Sequence, residues 1–516
     1  MGKLVAIDAG TTGVRAVVVD EAARVVDVAY QELTQYFPQP GWVEHDASEI
    51  WDAVVATLAE VGNRLAESGD TVAAIGITNQ RETLVAFDRQ SGQPLGRAIV
   101  WQDRRTAALC AELQAAGHLP LVRETTGLML DPYFTATKIT YLLRSGALGV
   151  PSESPSLSFG TVDSWLLWNL TGGIRGGVFA TDPSNASRTM LLDTSTLSWS
   201  PDLCALFDVP RHTLPEVFPS AGRFGLVSLP DLGPASTVLH GVPISGVLGD
   251  QQAALFGQAC FQPGMVKVTY GTGSFVLANA GGERPDAPDG LTVSVAWDMG
   301  EVGQLGGESS ATRRCYALEG STFVSGAAIQ WLRDGLGIIA ESAEVGPLAS
   351  SVSDSGGVTF VPALTGLGSP WWDPEARGII TGITRGTGRA QIARACVEAM
   401  AFQVRDMTDA MTAASAYPLV ALRADGGAAA MDLLLQLQAE QSRMPVARPK
   451  SLESTALGAA TLAGLAEGMW SSLDDLAGLW SASAEYEPEL PVELTDAVYA
   501  VWQRAVERSR GWAAGT

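Results

Sequence analysis

The residues placed to do chemistry are a few acidic side chains and one arginine at the ends of apolar runs. Asp250 closes Gly246-Val-Leu-Gly-Asp250, whose apolar part reads as a buried strand over 244–248, and Gln251-Gln-Ala-Ala-Leu-Phe-Gly257 begins a helical pattern. A carboxylate at the carboxyl end of a buried strand is where open α/β sheets put ligand chemistry. Helix capping is the plainer use of the same aspartate. Asp8 ends a strand over 4–7 and is followed by Ala9-Gly-Thr-Thr-Gly13 and a second strand over 14–19. That is a hairpin by turn chemistry, and its Gly/Thr turn also offers bare N–H groups and hydroxyls as a phosphate nest. Asp8 at its mouth suits a hydrated Mg²⁺. Arg81 and Glu82, in Asn79-Gln-Arg-Glu82, stand at another strand junction. They read either as a surface ion pair or as a grip for the hydroxyls of a small polar ligand. Trp101, after Ala98-Ile-Val100, is core or pocket wall.

These positions need a scaffold, and its elements are legible. Asp46-Ala-Ser-Glu49 is a capping box that predicts a helix to about Glu67, closed by Gly69. Strands follow over 72–78 and 83–87, and a helix starts within Asp131-Pro-Tyr-Phe-Thr-Ala-Thr-Lys138, with Tyr133 near its start. Later, a strand over 266–270, the turn Gly271-Thr-Gly273 and a strand over 274–278 repeat the layout around residues 4–19. Two such hairpins, one opening each half, suggest related domains facing across a cleft. Further along come an apolar helix containing Gln330, a long buried helix over 387–413, a strand over 419–424 and a helix over 428–441. Asp425-Gly-Gly427 between the last two reads equally as a simple βα turn or as a place where a flat ligand lies against backbone. A small-residue helix over 455–468 is expected to pack inside the second domain.

Composition narrows the function. At 516 residues the chain exceeds one hydrophobic core and implies two or more domains. Its 46% hydrophobic and 17% charged content describes a core-rich globular protein. A net charge of −23 excludes nucleic acid as a partner, which demands a basic footprint. Cys110, Cys204, Cys260, Cys315 and Cys396 lie far apart, as buried thiols in a reducing compartment do. The four histidines have no zinc spacing. The start has no signal-peptide layout and no apolar run is long enough for a bilayer, so a cytoplasmic protein without membrane insertion is expected. The triplets Asn169-Leu-Thr and Asn185-Ala-Ser read as chance. Neither Gly-x4-Gly-Lys-Ser/Thr, nor Gly-x-Gly-x-x-Gly after a strand, nor a protein-kinase catalytic loop occurs. Any ATP must be held by hairpins and helix starts in a cleft.

Seven runs together are more particular: Pro40-Gly-Trp-Val-Glu-His-Asp46, Gly76-Ile-Thr-Asn-Gln-Arg-Glu-Thr83, Ile99-Val-Trp-Gln-Asp-Arg-Arg-Thr106, Asp131-Pro-Tyr-Phe134, Gly249-Asp-Gln-Gln-Ala-Ala-Leu-Phe-Gly257, Tyr270-Gly-Thr-Gly273 and Thr365-Gly-Leu-Gly-Ser-Pro-Trp-Trp-Asp-Pro374. With them the chain resembles the FGGY family of carbohydrate kinases, within the actin/sugar-kinase superfamily, from about residue 3 to beyond 500. The resemblance implies an α/β protein of the two-domain actin-like/sugar-kinase (ribonuclease H-like) fold, each domain a mixed sheet flanked by helices. The interdomain cleft would lie between an N-terminal domain over 1–257 and a C-terminal domain over 258–516. The 79–83 and 131–134 runs, with Phe275, resemble the members that act on glycerol. They imply Mg²⁺-dependent transfer of the ATP γ-phosphate to a terminal hydroxyl of glycerol, giving sn-glycerol 3-phosphate and ADP.

By the same resemblance Asp250 matches the general base. Arg81, Glu82, Tyr133 and Gln251 match hydrogen-bond partners of the polyol, and Trp101 and Phe275 its aromatic walls. Thr11, Thr12, Gly13 and Arg15 match the first phosphate loop and Thr272 the second; Gly326, Gln330, Gly427 and Met431 line the nucleotide, and Asp8 stands near the Mg²⁺. A homo-oligomer, dimer or tetramer, is implied as well. The chain departs from the family at Met431, where relatives often carry Asn near the adenine, which opens the question of base recognition. It departs also at Tyr141, where Trp is usual, and at Ala9 and Gly13, where some relatives carry larger polar residues. The longer loop over 303–315 has no functional reading. Two alternatives stand beside the glycerol reading: a kinase of this fold for another small polyol or ketose, and an actin-like ATPase without a small substrate.

Overall fold

The computed structural model describes residues 2–300 and 314–514, so residues 303–313 of the 303–315 loop lie outside the described residues. In the first lobe β1 (Lys3–Ala9), β2 (Gly13–Val19) and β3 (Val25–Glu32) form an antiparallel meander. Helix α1 (Ala47–Ser68) then crosses to β4 (Val72–Asn79), parallel to β1. Its ends fall where the sequence put them, but the capping box is not completed: Asp46 accepts from the Ser48 N–H while Glu49 accepts from the Tyr36 hydroxyl, and Gly69 closes the helix at φ 74°, where a Cβ would be strained. Residues 80–220 form an excursion with its own apolar core around Phe134, Phe159 and Phe207, and include α2 (Thr135–Ser145). Strands β5 (Ala221–Leu226) and β6 (Pro243–Gly249) return to the sheet, whose order is β5-β6-β4-β1-β2-β3, and α3 (Asp250–Gly257) starts where β6 ends.

The second lobe repeats the plan. It contains β7 (Met265–Tyr270), β8 (Ser274–Gly281), β9 (Thr292–Asp298), β10 (Arg314–Thr322), α4 (Gly326–Asp334), α5 (Arg389–Ala414), β11 (Ala421–Asp425), α6 (Asp432–Ser442), β12 (Val446–Pro449) and β13 (Ala482–Tyr486), and between the last two strands the chain forms α7 (Ser454–Ala466). The sheet order is β9-β10-β8-β7-β11-β12-β13. Each sheet thus holds three antiparallel strands followed by two more laid parallel to the first: β3-β2-β1-β4-β6 in one and β10-β8-β7-β11-β12 in the other. The repeated Gly/Thr hairpins are the first two strands of each copy.

Two sequence expectations are corrected. The helix over 455–468 exists as α7, but it packs on the first lobe's sheet and on α3. A Cβ at Gly76 would lie 2.1 Å from Ala459 O, one at Gly246 2.8 Å from Ala463 N, and one at Gly458 1.9 Å from Ala253 O. Ala456, Ala459, Ala460 and Ala463 share an apolar cluster with Leu4, Ala6 and Val17. A face of small residues fits wherever another backbone comes close, and here the glycines of β4, β6 and α3 supply that approach. The helix expected over 428–441 is broken: a short 3₁₀ turn covers Gly427–Ala430, Met431 is extended at ψ 105°, and α6 begins only at Asp432. Similarly α2 starts at Thr135, leaving Tyr133 in a turn where its N–H donates to Asp131 Oδ1 at 2.9 Å.

Glycine-to-alanine substitutions separate contact from propensity. Gly458→Ala, in α7, should destabilise the protein by ~2 kcal/mol or more, because backbone must move to admit the methyl. Gly478→Ala, in the helix Leu473–Leu479 with nothing within 4 Å of the new Cβ, should stabilise it by up to ~1 kcal/mol. Urea denaturation of the two variants checks the opposite signs; equal effects would contradict this packing.

Candidate active site

Arg81 and Glu82 follow one residue after β4 and are 3% and 1% exposed, with Glu82 held in the left-handed region at φ 59°. They are not each other's main partner, since Arg81 Nε stands 3.9 Å from Glu82 Oε1. Arg81 Nη1 donates to Glu319 Oε1 at 2.5 Å, and Arg188 Nη1 lies 2.6 Å from Glu319 Oε2. Arg188 Nε donates to Glu82 Oε1 at 2.5 Å, so that, with the longer Arg81–Glu82 contact as the fourth side, two guanidiniums and two carboxylates form a buried ring. Glu319 lies on β10, so the ring ties the first lobe to the second. Ser294 Oγ and Gln252 Nε2, each 3.2 Å away, also donate to Glu319 Oε1. Burial pushes the Glu82 carboxyl up, partly offset by Arg188 and Arg81. Burial acts the same way on Glu319, but there Arg188, Arg81 and the added donors win and hold the carboxyl below its ordinary value. Sequence reasoning missed Arg188 and Glu319; the one signal was a lone carboxylate after the apolar Ala317-Leu318 of a strand.

Asp250 is the first residue of α3, with Gly249 in the capping position, so it is not the helix cap. Its side chain is 30% exposed, 3.1 Å from Arg81 Nε, and its Oδ1 accepts from the Gln251 N–H at 2.7 Å. Gly249 must be glycine, because a Cβ there would lie 2.7 Å from Arg81 Cδ. Its N–H donates to Ser184 Oγ at 2.9 Å, and Ser184 Oγ in turn donates to Asp182. Around this point three rings gather: Trp101 edge-on to Tyr133 at 5.5 Å and to Phe275 at 6.3 Å. The Arg188 guanidinium lies over the Tyr133 ring at 5.2 Å. Trp101 Nε1 donates to Thr11 Oγ1 at 3.0 Å, which ties this wall to the first Gly/Thr turn. Gln251 departs from expectation in one respect: its Oε1 is taken by Lys267.

The second Gly/Thr turn borders a cavity of about 770 Å³ whose walls include Thr272, Gly326, Gln330, Gly427 and Met431, five of the positions expected to line a nucleotide. Backbone N–H groups of Ser325 and Ala327 donate to Thr272 O at 2.8 and 3.0 Å, and that of Gly326 to Gly271 O at 3.0 Å, sewing the turn to the start of α4. The conformational demand in Asp425-Gly-Gly427 falls on Gly426, at φ 87°, where a Cβ would stand 2.5 Å from Tyr270 O. Gly427 is exposed, with nothing near a Cβ. Across the cleft, the Gly10 N–H donates to Gly13 O at 3.0 Å and closes the first turn, with Thr12 exposed. Thr11, Thr12, Gly13 and Arg15 are not among the cavity's walls, and Arg15 Nη1 is paired with Glu453 Oε2 at 2.7 Å.

Asp8 pairs in register with Arg15 and Thr78. Its carboxyl is pushed up to about 7, first by burial and then by the charges of Asp250 and Glu453, against the pull of Arg15. A carboxylate so placed favours a cation. Among the described residues no group of three or more His, Cys, Asp or Glu could by itself hold a metal.

The chain is similar to known proteins along nearly its whole length. The N-terminal domain of the FGGY family of carbohydrate kinases matches residues 3–257, and its C-terminal domain matches residues 266–467. The chain is 50% identical to the glycerol kinase of Bordetella parapertussis, over 99% of this chain and 97% of that one. It is 49% identical to the glycerol kinase of Aromatoleum aromaticum over the full length of both. The crystal structure of Plasmodium falciparum glycerol kinase with ADP superposes with a TM-score of 0.90 at 33% identity, covering 99% of this chain and 98% of that one. A ligand-bound xylulose kinase from Lactobacillus acidophilus shares the fold at a TM-score of 0.85 and 20% identity, covering 99% of each chain.

Asp8 gives a pH test. Because its folded pKa is raised, the wild-type chain is penalised where the folded carboxyl is ionised and the penalty fades as pH falls from 7 towards 4. Asp8→Asn should therefore raise Tm by ~2 °C or more at pH 8, with the gain closing by about pH 4, below the ordinary carboxyl range. A gain that grows on acidification would contradict the burial of this group.

Proposed function

The chain belongs to the FGGY family of carbohydrate kinases, and we propose that it transfers the γ-phosphate of ATP to a terminal hydroxyl of glycerol, releasing sn-glycerol 3-phosphate and ADP. The observation that carries this reading is the setting of Asp250: a carboxylate open to the cleft, steered by Arg81, where a charged donor, a charged acceptor and three aromatic rings converge. Glycerol is small and strongly hydrated, so a site for it must replace water's hydrogen bonds and give its carbons apolar faces. Arg81, Glu82, Tyr133 and Gln251 meet the hydroxyls, while Trp101 and Phe275 offer apolar faces to a short carbon chain.

Asp250 accepts the proton of the terminal hydroxyl as that oxygen attacks the γ-phosphorus in line with the leaving ADP oxygen. The chain's part in such a transfer is positioning and charge placement more than covalent chemistry. The N–H groups and hydroxyls of Thr11, Thr12 and Thr272, with Gly13 and Arg15, receive the phosphates. Gly326, Gln330, Gly427 and Met431 flank the nucleoside in the 770 Å³ cavity. Mg²⁺, when bound, neutralises charge on the phosphates. Asp8 suits it, since that ion takes one or two carboxylates and keeps several waters, and Asp8 is a half-buried carboxylate that favours a cation.

Five free cysteines, all buried, support a reducing, cytoplasmic setting. No helix among the described residues is long and apolar enough to cross a membrane. Leu494, Val498 and Val501 expose an aliphatic stripe along the helix Val492–Ser509, which supports a dimer or tetramer. Sedimentation velocity should return the mass of two or four chains; a monomer at assay concentrations contradicts that assembly.

Asp250→Asn should bind ADP as the wild type does and lose at least ~10²-fold in turnover, the lower range for general-base catalysis. Coupled assays across glycerol, dihydroxyacetone, erythritol and xylulose should favour glycerol. Near-normal turnover in the variant, or preference for the pentose, would overturn the reading.

A further inference from the structure

Only four of the chain's 33 lysine and arginine residues are lysines: Lys3, Lys138, Lys267 and Lys450. Two of these four, Lys138 and Lys267, are fully buried. Burying an ammonium is costly unless it is paired, so a chain that meets nearly every cationic need with arginine keeps lysine at two costly places. Lys138 donates to the carbonyls of Glu82 and Tyr133 at 3.0 and 2.8 Å, a brace for backbone. Lys267 is placed differently. It stands on β7, and its Nζ donates to Gln251 Oε1 and, at 2.9 Å, to Thr269 Oγ1. The charged groups facing it are Asp425 on β11, Asp250 on α3, Arg81 after β4 and Glu319 on β10.

An ammonium only donates, so the Gln251 atom it holds must be the amide oxygen. The orientation of that amide, otherwise free to flip, is thereby set. Its NH₂ is left over, and among the described residues nothing accepts from it. Gln251 is half-buried and adjoins Asp250. We propose that Lys267 is a positioning residue for the polyol: by holding Gln251 Oε1 it makes the Gln251 NH₂ an obligate donor to a substrate hydroxyl. The inference rests on the reading above that Gln251 meets the polyol. Strand β7 runs directly into the 271–273 turn, so the same strand that sets this donor also carries Thr272 to the nucleotide cavity. A compact ammonium suits the place better than a guanidinium, whose planar fork would need acceptors for five N–H groups.

Steady-state kinetics on Lys267→Met, Gln251→Leu, the double variant and Gln251→Glu test this. Lys267→Met should raise KM for glycerol ~10-fold, about one hydrogen bond's worth, with KM for ATP nearly unchanged. It should add nothing further in the Gln251→Leu background, because it acts through that amide. Additive effects, or equal losses for both substrates, would mark a merely structural lysine and overturn the proposal. Gln251→Glu keeps an oxygen for Lys267 and leaves the buried lysine in place, but puts a charged acceptor where the NH₂ donor stood; it should raise KM for glycerol as Gln251→Leu does. A normal KM in that variant overturns the proposal even if Lys267→Met fails to fold. A wild-type chain that does not phosphorylate glycerol overturns the reaction assignment itself, and this inference with it.

Discussion

The buried ring of Arg81, Glu319, Arg188 and Glu82 is the constraint on which the rest of the site depends. Taking four charges out of water is expensive, and an apolar cluster of the same volume would hold the lobes together at least as well. The ring is therefore best understood through what it positions. Arg81 offers a planar fork with donors at fixed angles. With Nη1 committed to Glu319 and Gln252, its Nε faces Asp250. Glu82 is pinned by Arg188 on one side and by its own left-handed backbone, whose carbonyl accepts from Lys138 and Thr135, on the other. A motion that parted Arg81 from Glu319 would strand buried charges at a cost of several kcal/mol, so the ring belongs to the rigid part of the joint between the lobes.

Everything near the ring is arranged so that backbones can come close enough to deliver these side chains. Gly249 lets Arg81 pass beneath the start of α3, Gly326 seats α4 on the second Gly/Thr turn, and Gly426 bends the end of β11 over Tyr270. The small face of α7, reaching from the second half of the chain to the first sheet, brings β4, β6 and α3 into one block. The strand that ends before Arg81, the strand that ends before Asp250 and the helix that begins with Asp250 are thus fixed relative to one another before any substrate arrives. Preorganisation of this kind is the main source of rate in phosphoryl transfer, where the protein has little covalent chemistry to perform.

What the sequence made legible was local. The two hairpins, the ends of α1 and the strand behind Asp250 each follow from residues a few places apart. The partners across the fold were not legible. Arg81 and Glu82 are adjacent and opposite in charge, which suggests a pair, yet each finds its strong partner elsewhere, in Glu319 and Arg188. The destination of α7 was hidden for a related reason: a run of alanines and glycines is compatible with any close-packed surface, and only the glycines on β4, β6 and α3 select one. Gly427 drew attention for its motif, while the backbone requirement sits one residue earlier. The orientation of Gln251 depends on a lysine on another strand, which no spacing rule reaches.

A crystal structure of the chain with glycerol and ADP tests the central claim most directly. The ring should be intact, with glycerol hydroxyls on Arg81 and Glu82 and one terminal oxygen within ~2.6–3.2 Å of the Asp250 carboxylate, facing the nucleotide cavity. Glycerol bound elsewhere, or bound with its terminal oxygens turned away from Asp250 and the ring reopened, would contradict it.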